Sequence, residues 1–343
     1  MENQDKIIKN ETAIKGIGRR SFLTAAAAGG VITAGGLAAP AIAQGAKRKV
    51  IFVAHEEIPF FAPVKAGFDD FGTLRDWDMQ YLARGTPASV AETVRLQGDA
   101  LNARPDAVGF TRINETAFDE NIMRATDAGI PCVLFNVASP GYEDLGVPFV
   151  GQDFIPAGRV NGLQAAKYAH EITGKTAGTI LVDNPAPGVS ALEERATGTD
   201  QGIAEYNAAN GTTFVAERFT SANTQTEALS RIDAKIRSTA DFVGFASTVS
   251  GHWFVSIWAE DNGMTGKFAN GGFDLIAGVL SAISDGSAQW SVGQNPYAQG
   301  WVTSALIDMQ LESGFVPFDY DTGAEVVDMS NIEAVTAREA RFG

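Results

Sequence analysis

From Lys49 onward the chain alternates short apolar runs with longer stretches in which apolar residues recur every three or four positions. Val50–Ala54, Met79–Ala83, Ala107–Phe110 and Cys132–Phe135 are apolar at most successive positions, the pattern of strands covered on both faces. Between them the spacing predicts helices over 59–71, 89–102 and 116–128. Pro59 opens the first, Ser89 is suited to cap the second, and Gly129-Ile130-Pro131 stops the third. Pro148–Gly151 then leads into a helix over 155–173, and the alternation restarts. Strands are expected at Gly178–Val182, Thr213–Ala216, Phe242–Phe245, Phe268–Asn270 and Trp290–Gly293. Helices are expected over 189–207, 224–238, 250–262, 275–284 and 298–312. Strand and helix in strict alternation predict parallel sheets with helices on both faces. The pattern occurs twice without a low-complexity linker, so the expected fold class is α/β: two similar doubly wound parallel-sheet lobes packed together.

Composition narrows the chemistry. Of 343 residues, 45% are hydrophobic and 20% charged, enough apolar material for two cores. The net charge of −15 argues against a nucleic-acid partner, which needs a basic surface. The single cysteine, Cys132, can form neither an internal disulfide nor a cysteine-based zinc site, and its apolar neighbours mark it as a core residue. The histidines at 55, 170 and 252 lack metal-type spacing. Where a dinucleotide-binding fold would place its glycine-rich loop, after the first strand, stands His55-Glu56-Glu57-Ile58-Pro59, and there is no P-loop. No cofactor or metal is expected. With no activated Ser, Cys or Lys signature, no catalytic residue is expected either.

The first segment reads as an address. Arg19-Arg20-Ser21-Phe22-Leu23 precedes a weakly apolar, glycine-broken run that ends in Ala41-Ile42-Ala43. A basic region, an apolar region and small residues at a cleavage site make an export signal. The paired arginines make it look like the twin-arginine type. The run is too short and too broken for a membrane-spanning helix. Cleavage after Ala43 would release an acidic protein into a periplasm.

Five segments in matching order then resemble the ribose/galactose type of periplasmic sugar-binding protein, the receptor subunit of an ABC importer. They are Ile58-Pro59-Phe60-Phe61 with Val64–Phe68, Asp106–Phe110 with Ala128–Pro131, Arg195-Ala196-Thr197-Gly198, Gly272-Phe273-Asp274, and Gln294-Asn295-Pro296 with Gly300. The resemblance covers roughly 49–310. It implies a type I fold, with two lobes joined by three crossings and a ligand closed between them. On that pattern, 46–152 plus 295–325 form the N-terminal lobe and 153–294 plus 326–343 the C-terminal lobe. The partners implied are a small-molecule sugar or polyol and an inner-membrane permease, with the receptor itself a monomer. A chemotaxis sensor is an additional partner left open.

A pyranose has apolar C–H faces and a rim of hydroxyls, so it calls for aromatic platforms and planar polar side chains. Phe60 and Phe61 resemble the family's stacking pair, the alternative being core positions. Trp253 and Trp258 are other platforms, with Trp253 better placed at the start of its helix. Arg195 matches the ligand-binding arginine, and its forked donors suit adjacent hydroxyls; otherwise it pairs with Glu193 or Glu194. Asp274 would accept from hydroxyls or else cap the following helix. Gln294 stands at a lobe crossing, and Asn136 occupies a place where such receptors commonly carry Asp. Thr111 and Gln152 hold similar strand-end positions, with Thr248 and Ser247, after Phe245, weaker candidates. This chain departs from the pattern at Ile58, where asparagine is usual, and in its neighbours Glu56, Glu57 and Arg112. The two glutamates would either recognise an amino sugar or line the cleft mouth. Two other classes remain: a sugar-converting enzyme of the same fold, and a sugar-responsive transcription regulator, which would need a DNA-binding headpiece where this chain has its export segment.

Overall fold

The computed structural model describes residues 47–85, 88–222, 224–315 and 318–342; the export signal expected over 1–43 lies outside them. The first five apolar runs become β1 (Lys49–Val53), β2 (Asp78–Leu82), β3 (Ala107–Arg112), β4 (Cys132–Ala138) and β5 (Phe149–Gly151), linked through α1 (Phe61–Arg75), α2 (Val90–Asn102) and α3 (Asp119–Asp127). These strands are parallel, in the order β5-β4-β3-β1-β2. Ser89 caps α2 as expected, its hydroxyl accepting from the Glu92 amide at 3.3 Å.

After α4 (Phe154–Thr173) the pattern repeats with β6 (Ala177–Asp183), α5 (Ser190–Asn210), β7 (Thr213–Phe219), α6 (Gln225–Ser238), β8 (Phe242–Ser247), α7 (His252–Asp261), β9 (Ala269–Phe273), α8 (Ala277–Ser284) and β10 (Trp290–Gly293). The second sheet is parallel in the order β10-β9-β8-β6-β7. The chain then returns through α9 (Pro296–Ser313), which packs on α1, and β11 (Tyr320–Asp321) joins the first sheet beside β5. β12 (Glu325–Asp328) pairs antiparallel with β10 at the edge of the second sheet, and α10 (Ile332–Glu339) follows. The chain thus passes between the sheets three times, after β5, after β10 and after β11.

Two differences from the sequence reading have clear causes. β9 runs on past Asn270 to Phe273 because Gly271 and Gly272 are sheet positions; a Cβ at Gly271 would lie 2.2 Å from the Trp290 ring. β11 and β12 are too short to show a periodic pattern, and only their place beside existing strands makes them strands.

Each sheet is covered on both faces. In the first, Phe52, Phe68 and Phe135 lie on the α1/α9 face, and Ile51, Val53, Phe110 and Cys132 on the other. Cys132 is the core residue the sequence suggested. Two helix pairs approach with almost no side chain between them. On α4, a Cβ at Gly158 would meet the Arg195 carbonyl oxygen at 2.2 Å; on α5, one at Gly198 would meet the Ile155 carbonyl oxygen at 2.1 Å. Gly67 and Gly300 play the same part between α1 and α9. These contacts fix α5, and with it Arg195, against the start of α4.

Candidate functional site

The carboxyl ends of the strands in both sheets point toward the crossings, and several polar residues stand there in unusual backbone conformations. Asn136 has φ +65°, Asp274 φ +73° and Asn295 φ +46°. In the left-handed region an L-residue is strained, and Asn and Asp tolerate it best. Such strain is a recurrent feature of ligand sites.

The side chains form two hydrogen-bonded chains that meet at the crossings. In one, Asn136 Nδ2 donates to Gln299 Oε1 at 3.0 Å, Gln299 Nε2 donates to the Gln294 carbonyl at 3.1 Å, and Gln294 Nε2 donates to Asp274 Oδ1 at 2.8 Å. In the other, Arg195 Nη2 donates to Gln152 Oε1 at 2.9 Å and Arg195 Nη1 to the Thr248 carbonyl at 3.1 Å. Gln152 Nε2 donates in turn to Gly323 O at 2.9 Å and Gly293 O at 3.3 Å. Gln152 therefore ties the first crossing to the other two. Asn295 adds a link, donating from Nδ2 to Thr322 O at 2.7 Å.

Arg195 is 4% exposed, its guanidinium carbon 4.2 Å from the Phe273 ring centroid and 5.3 Å from that of Phe154. Burial lowers its pKa to about 10, partly offset by the charge of Asp274. Burial raises the Asp274 carboxyl, while Arg195 and the Gln294 amide pull it back. Arg195 Nε and Thr248 Oγ1 are buried with no hydrogen-bond partner. Such atoms are costly unless something pairs with them.

Phe60, Asp274 and Gln294 line a cavity of about 510 Å3. Pro59 and Pro63 bring the first lobe to this cavity, and the α8 and α10 region brings the second. Gln152 lines a second cavity of about 350 Å3. It carries the carboxylates of Glu143, Asp153, Glu194, Asp319 and Asp321. Burial, then neighbouring carboxylates, raise Asp153 and Glu194. Ser190 Oγ donates to Ser139 Oγ at 3.3 Å, a direct contact between the halves.

Other residues singled out from the sequence stand elsewhere. Phe61 is 4% exposed in the α1 core, edge-on to both Phe60 and His55. Arg112 is buried, but its donors go to Asp119 and to the carbonyls of Ser139, Pro140 and Glu115, so it fastens loops. Thr111 is buried at the end of β3, its hydroxyl donating to Val53 O at 3.4 Å. Trp253 packs over Gly278, a contact that would leave an added Cβ only 2.4 Å from its ring, and so lies between α7 and α8. Trp258 Nε1 donates to Asp233. Asp274 does not cap a helix, since α8 begins after Ile276. Glu57 is exposed; Glu56 is partly buried, and that burial raises its pKa.

Sequence reasoning passed over Gln299, Phe273 and Phe154. Gln299 carried a signal: it is a polar residue on the same face of α9 as Gly300 and Thr303, a face buried throughout. Phe273 stood inside the Gly272-Phe273-Asp274 segment without being singled out, and Phe154 carried no signal, because apolar residues beside a strand end read as core. Among the described residues, no group of His, Cys, Asp and Glu is placed to hold a metal ion.

A family model for the periplasmic binding protein domain matches residues 24–314. The chain belongs to this family. Over 305 residues it is 23% identical to a xylose/arabinose-binding protein of Sulfolobus acidocaldarius, covering 83% of this chain and 72% of that one. The fold is shared with an ABC transporter solute-binding protein of Burkholderia graminis in complex with D-arabinose (TM-score 0.73, 20% identity, 83% of this chain and 96% of the other). It is shared too with a carbohydrate transporter of Acidothermus cellulolyticus in complex with myo-inositol (TM-score 0.71, 21% identity, 86% and 99%). A solute-binding protein of Agrobacterium vitis with bound D-fucose gives TM-score 0.72 at 22% identity, over 85% and 98%.

Proposed function

We propose that this member of the periplasmic binding protein family captures a monosaccharide or polyol between its lobes and hands it, chemically unchanged, to an inner-membrane permease. The observation that carries the reading is the convergence of Asn136, Gln152, Arg195, Thr248, Asp274 and Gln294 on the crossings, with Phe60 lining the cavity together with the last two. Planar amides, a forked cation and a carboxylate beside an aromatic ring match a hydroxyl rim and an apolar sugar face. The unpaired Arg195 Nε and Thr248 Oγ1 are further polar atoms at this place. The names of the similar proteins, which bind xylose or arabinose, D-arabinose and myo-inositol, agree with this class.

On this reading the protein is a receptor, monomeric and not an enzyme, exported by the twin-arginine signal and released after Ala43. Ligand stabilises a closed arrangement in which contacts such as Ser139–Ser190 form, and the crossings act as the hinge. Glu56 and Glu57 line the mouth of the cleft.

A thermal-shift screen of purified protein against pentoses, hexoses, amino sugars and polyols tests the proposal. A ligand that binds only the native state raises the melting temperature as RT ln(1 + [L]/Kd). The expected result is a hit that Arg195→Ala and Asp274→Ala both abolish, with recovery of the ligand intact. No response to any sugar or polyol, or chemical conversion of the ligand, overturns it.

A further inference from the structure

The cavity at Asp274 and Gln294 is built for more than a bare sugar. Its volume, about 510 Å3, lies within the ~300–1,000 Å3 of pockets that enclose drug-sized ligands. Asp274, Gln294 and Phe60 line it together. Between α8 and α10 its lining is mostly apolar, with Leu275, Ile276, Leu280, Ala340 and Phe342 beside the short hydroxyls of Ser281, Ser284 and Thr336. Leu280 forms a buried floor, while Ala277, Ser281 and Ala340 lie open on the rim. Glu339, the charged residue of this part, is already paired with Arg338. Phe342 is held in place by stacking on Tyr297 of α9, ring centroids 5.6 Å apart. The C-terminal turn of the second lobe is thereby pinned to the first lobe, and it forms a wall of the cavity.

A sugar ring presents hydroxyls on every side, and placing them against leucine, isoleucine and phenylalanine leaves them unpaired at a cost. An apolar substituent fits the same wall with a gain proportional to the area it buries. We propose that the cleft takes a monosaccharide carrying an apolar group, an alkyl or aryl glycoside, with the sugar at Asp274 and Gln294 and the substituent between α8 and α10. This rests on the sugar-receptor reading and specifies its ligand class.

Isothermal titration of the purified protein tests it. The probes are xylose, arabinose, glucose, galactose and myo-inositol, the phenyl and octyl glycosides of the four sugars, and the disaccharides xylobiose and cellobiose. For the sugar that binds, its phenyl or octyl glycoside is expected to bind at least tenfold more tightly, about 1.4 kcal/mol. Ser281→Trp and Ala340→Trp fill the annex from exposed positions where folding is not at stake. Each should bring the glycoside back to the affinity of the free sugar and leave the free sugar unchanged. The inference is overturned if the free sugar or a disaccharide binds as tightly as the glycosides, or if both tryptophan variants leave the preference intact. Binding of free sugars without a glycoside preference sinks this inference alone. Binding of no probe at all sinks the receptor reading, and this inference with it.

Discussion

Arg195 reaches out of the second lobe to donate a 2.9 Å hydrogen bond to Gln152, the residue that also donates to carbonyls in the other two crossings. A buried guanidinium is thereby coupled to all three connecting segments. Its charge is compensated by Asp274 nearby and by the rings of Phe273 and Phe154, and among the described residues no ion pair closes on it. On the proposed reading Arg195 meets the ligand, and hydrogen bonds to neutral partners leave its charge available for that.

Gln152→Leu should therefore destabilise the protein as well as weaken binding. It orphans Arg195 Nη2 and removes the donor from Gly293 O and Gly323 O, at about 1–3 kcal/mol for each buried group left unpaired. A lower urea midpoint is expected. A midpoint equal to that of the wild type would show that Gln152 does not tie the crossings together.

The neighbouring phenylalanines should separate cleanly. Phe61 is packed in the α1 core, and Phe61→Ala should cost about 3–5 kcal/mol. Phe60 faces the cavity, so Phe60→Ala should cost far less stability and lose most of the ligand affinity. Paired denaturation and titration on the two variants check this; equal stability losses would count against it.

Gly198→Ala inserts a methyl group where the α4 backbone stands 2.1 Å away. The helices must separate, and Arg195 is carried on the one that moves. Overpacking of this kind typically costs about 1–3 kcal/mol. Weakened ligand binding should accompany the loss of stability, although residue 198 touches no ligand. Gly211→Ala, with open space around it but φ +67°, is the control that strains α5 without moving Arg195.

The buried histidines make stability depend on pH. Burial lowers His55 and His252 from 6.5 to about 4. Between those values the unfolded chain binds protons that the folded chain refuses, so stability rises with pH from about 4 to 6.5 and is lost on acidification. Asp183 acts the other way: burial raises it from 3.8 to about 6, so its contribution falls as pH rises through that window. Burial also raises Glu56, Asp153, Glu194 and Asp274, which act in the same direction as Asp183, so single variants and not the net slope separate the contributions. Measured as urea midpoint against pH between 4 and 6.5, His252→Gln should make the slope less positive than in the wild type, and Asp183→Asn should make it more positive. Unchanged slopes in both variants would show that these groups do not titrate as their burial implies.

Most of the architecture was legible because parallel strands covered on both faces must be continuous apolar runs, and this chain writes them plainly. Arg195, Asp274 and Gln294 stood out through the resemblance of their segments to sugar receptors, and Asn136 through its place after the Phe135 strand. What the sequence could not assign was direction. Phe60 and Phe61 are adjacent and chemically identical, yet one faces a cavity and the other a core, because α1 begins between them and its packing on α9 decides which ring turns inward. Arg112 and Arg195 are both buried arginines, but carbonyls from two loops enclose the first at the end of β3, while the second, on α5, is carried to the crossings by a glycine-lined helix contact. Gln299 needed α9 to fold back across the first sheet before it could join Asn136 to Gln294. Local pattern determines which residues are strand, helix or turn, since that depends on neighbours a few positions away. Which polar side chains meet depends on contacts between segments 20 to 171 residues apart, and those exist only once both lobes have packed.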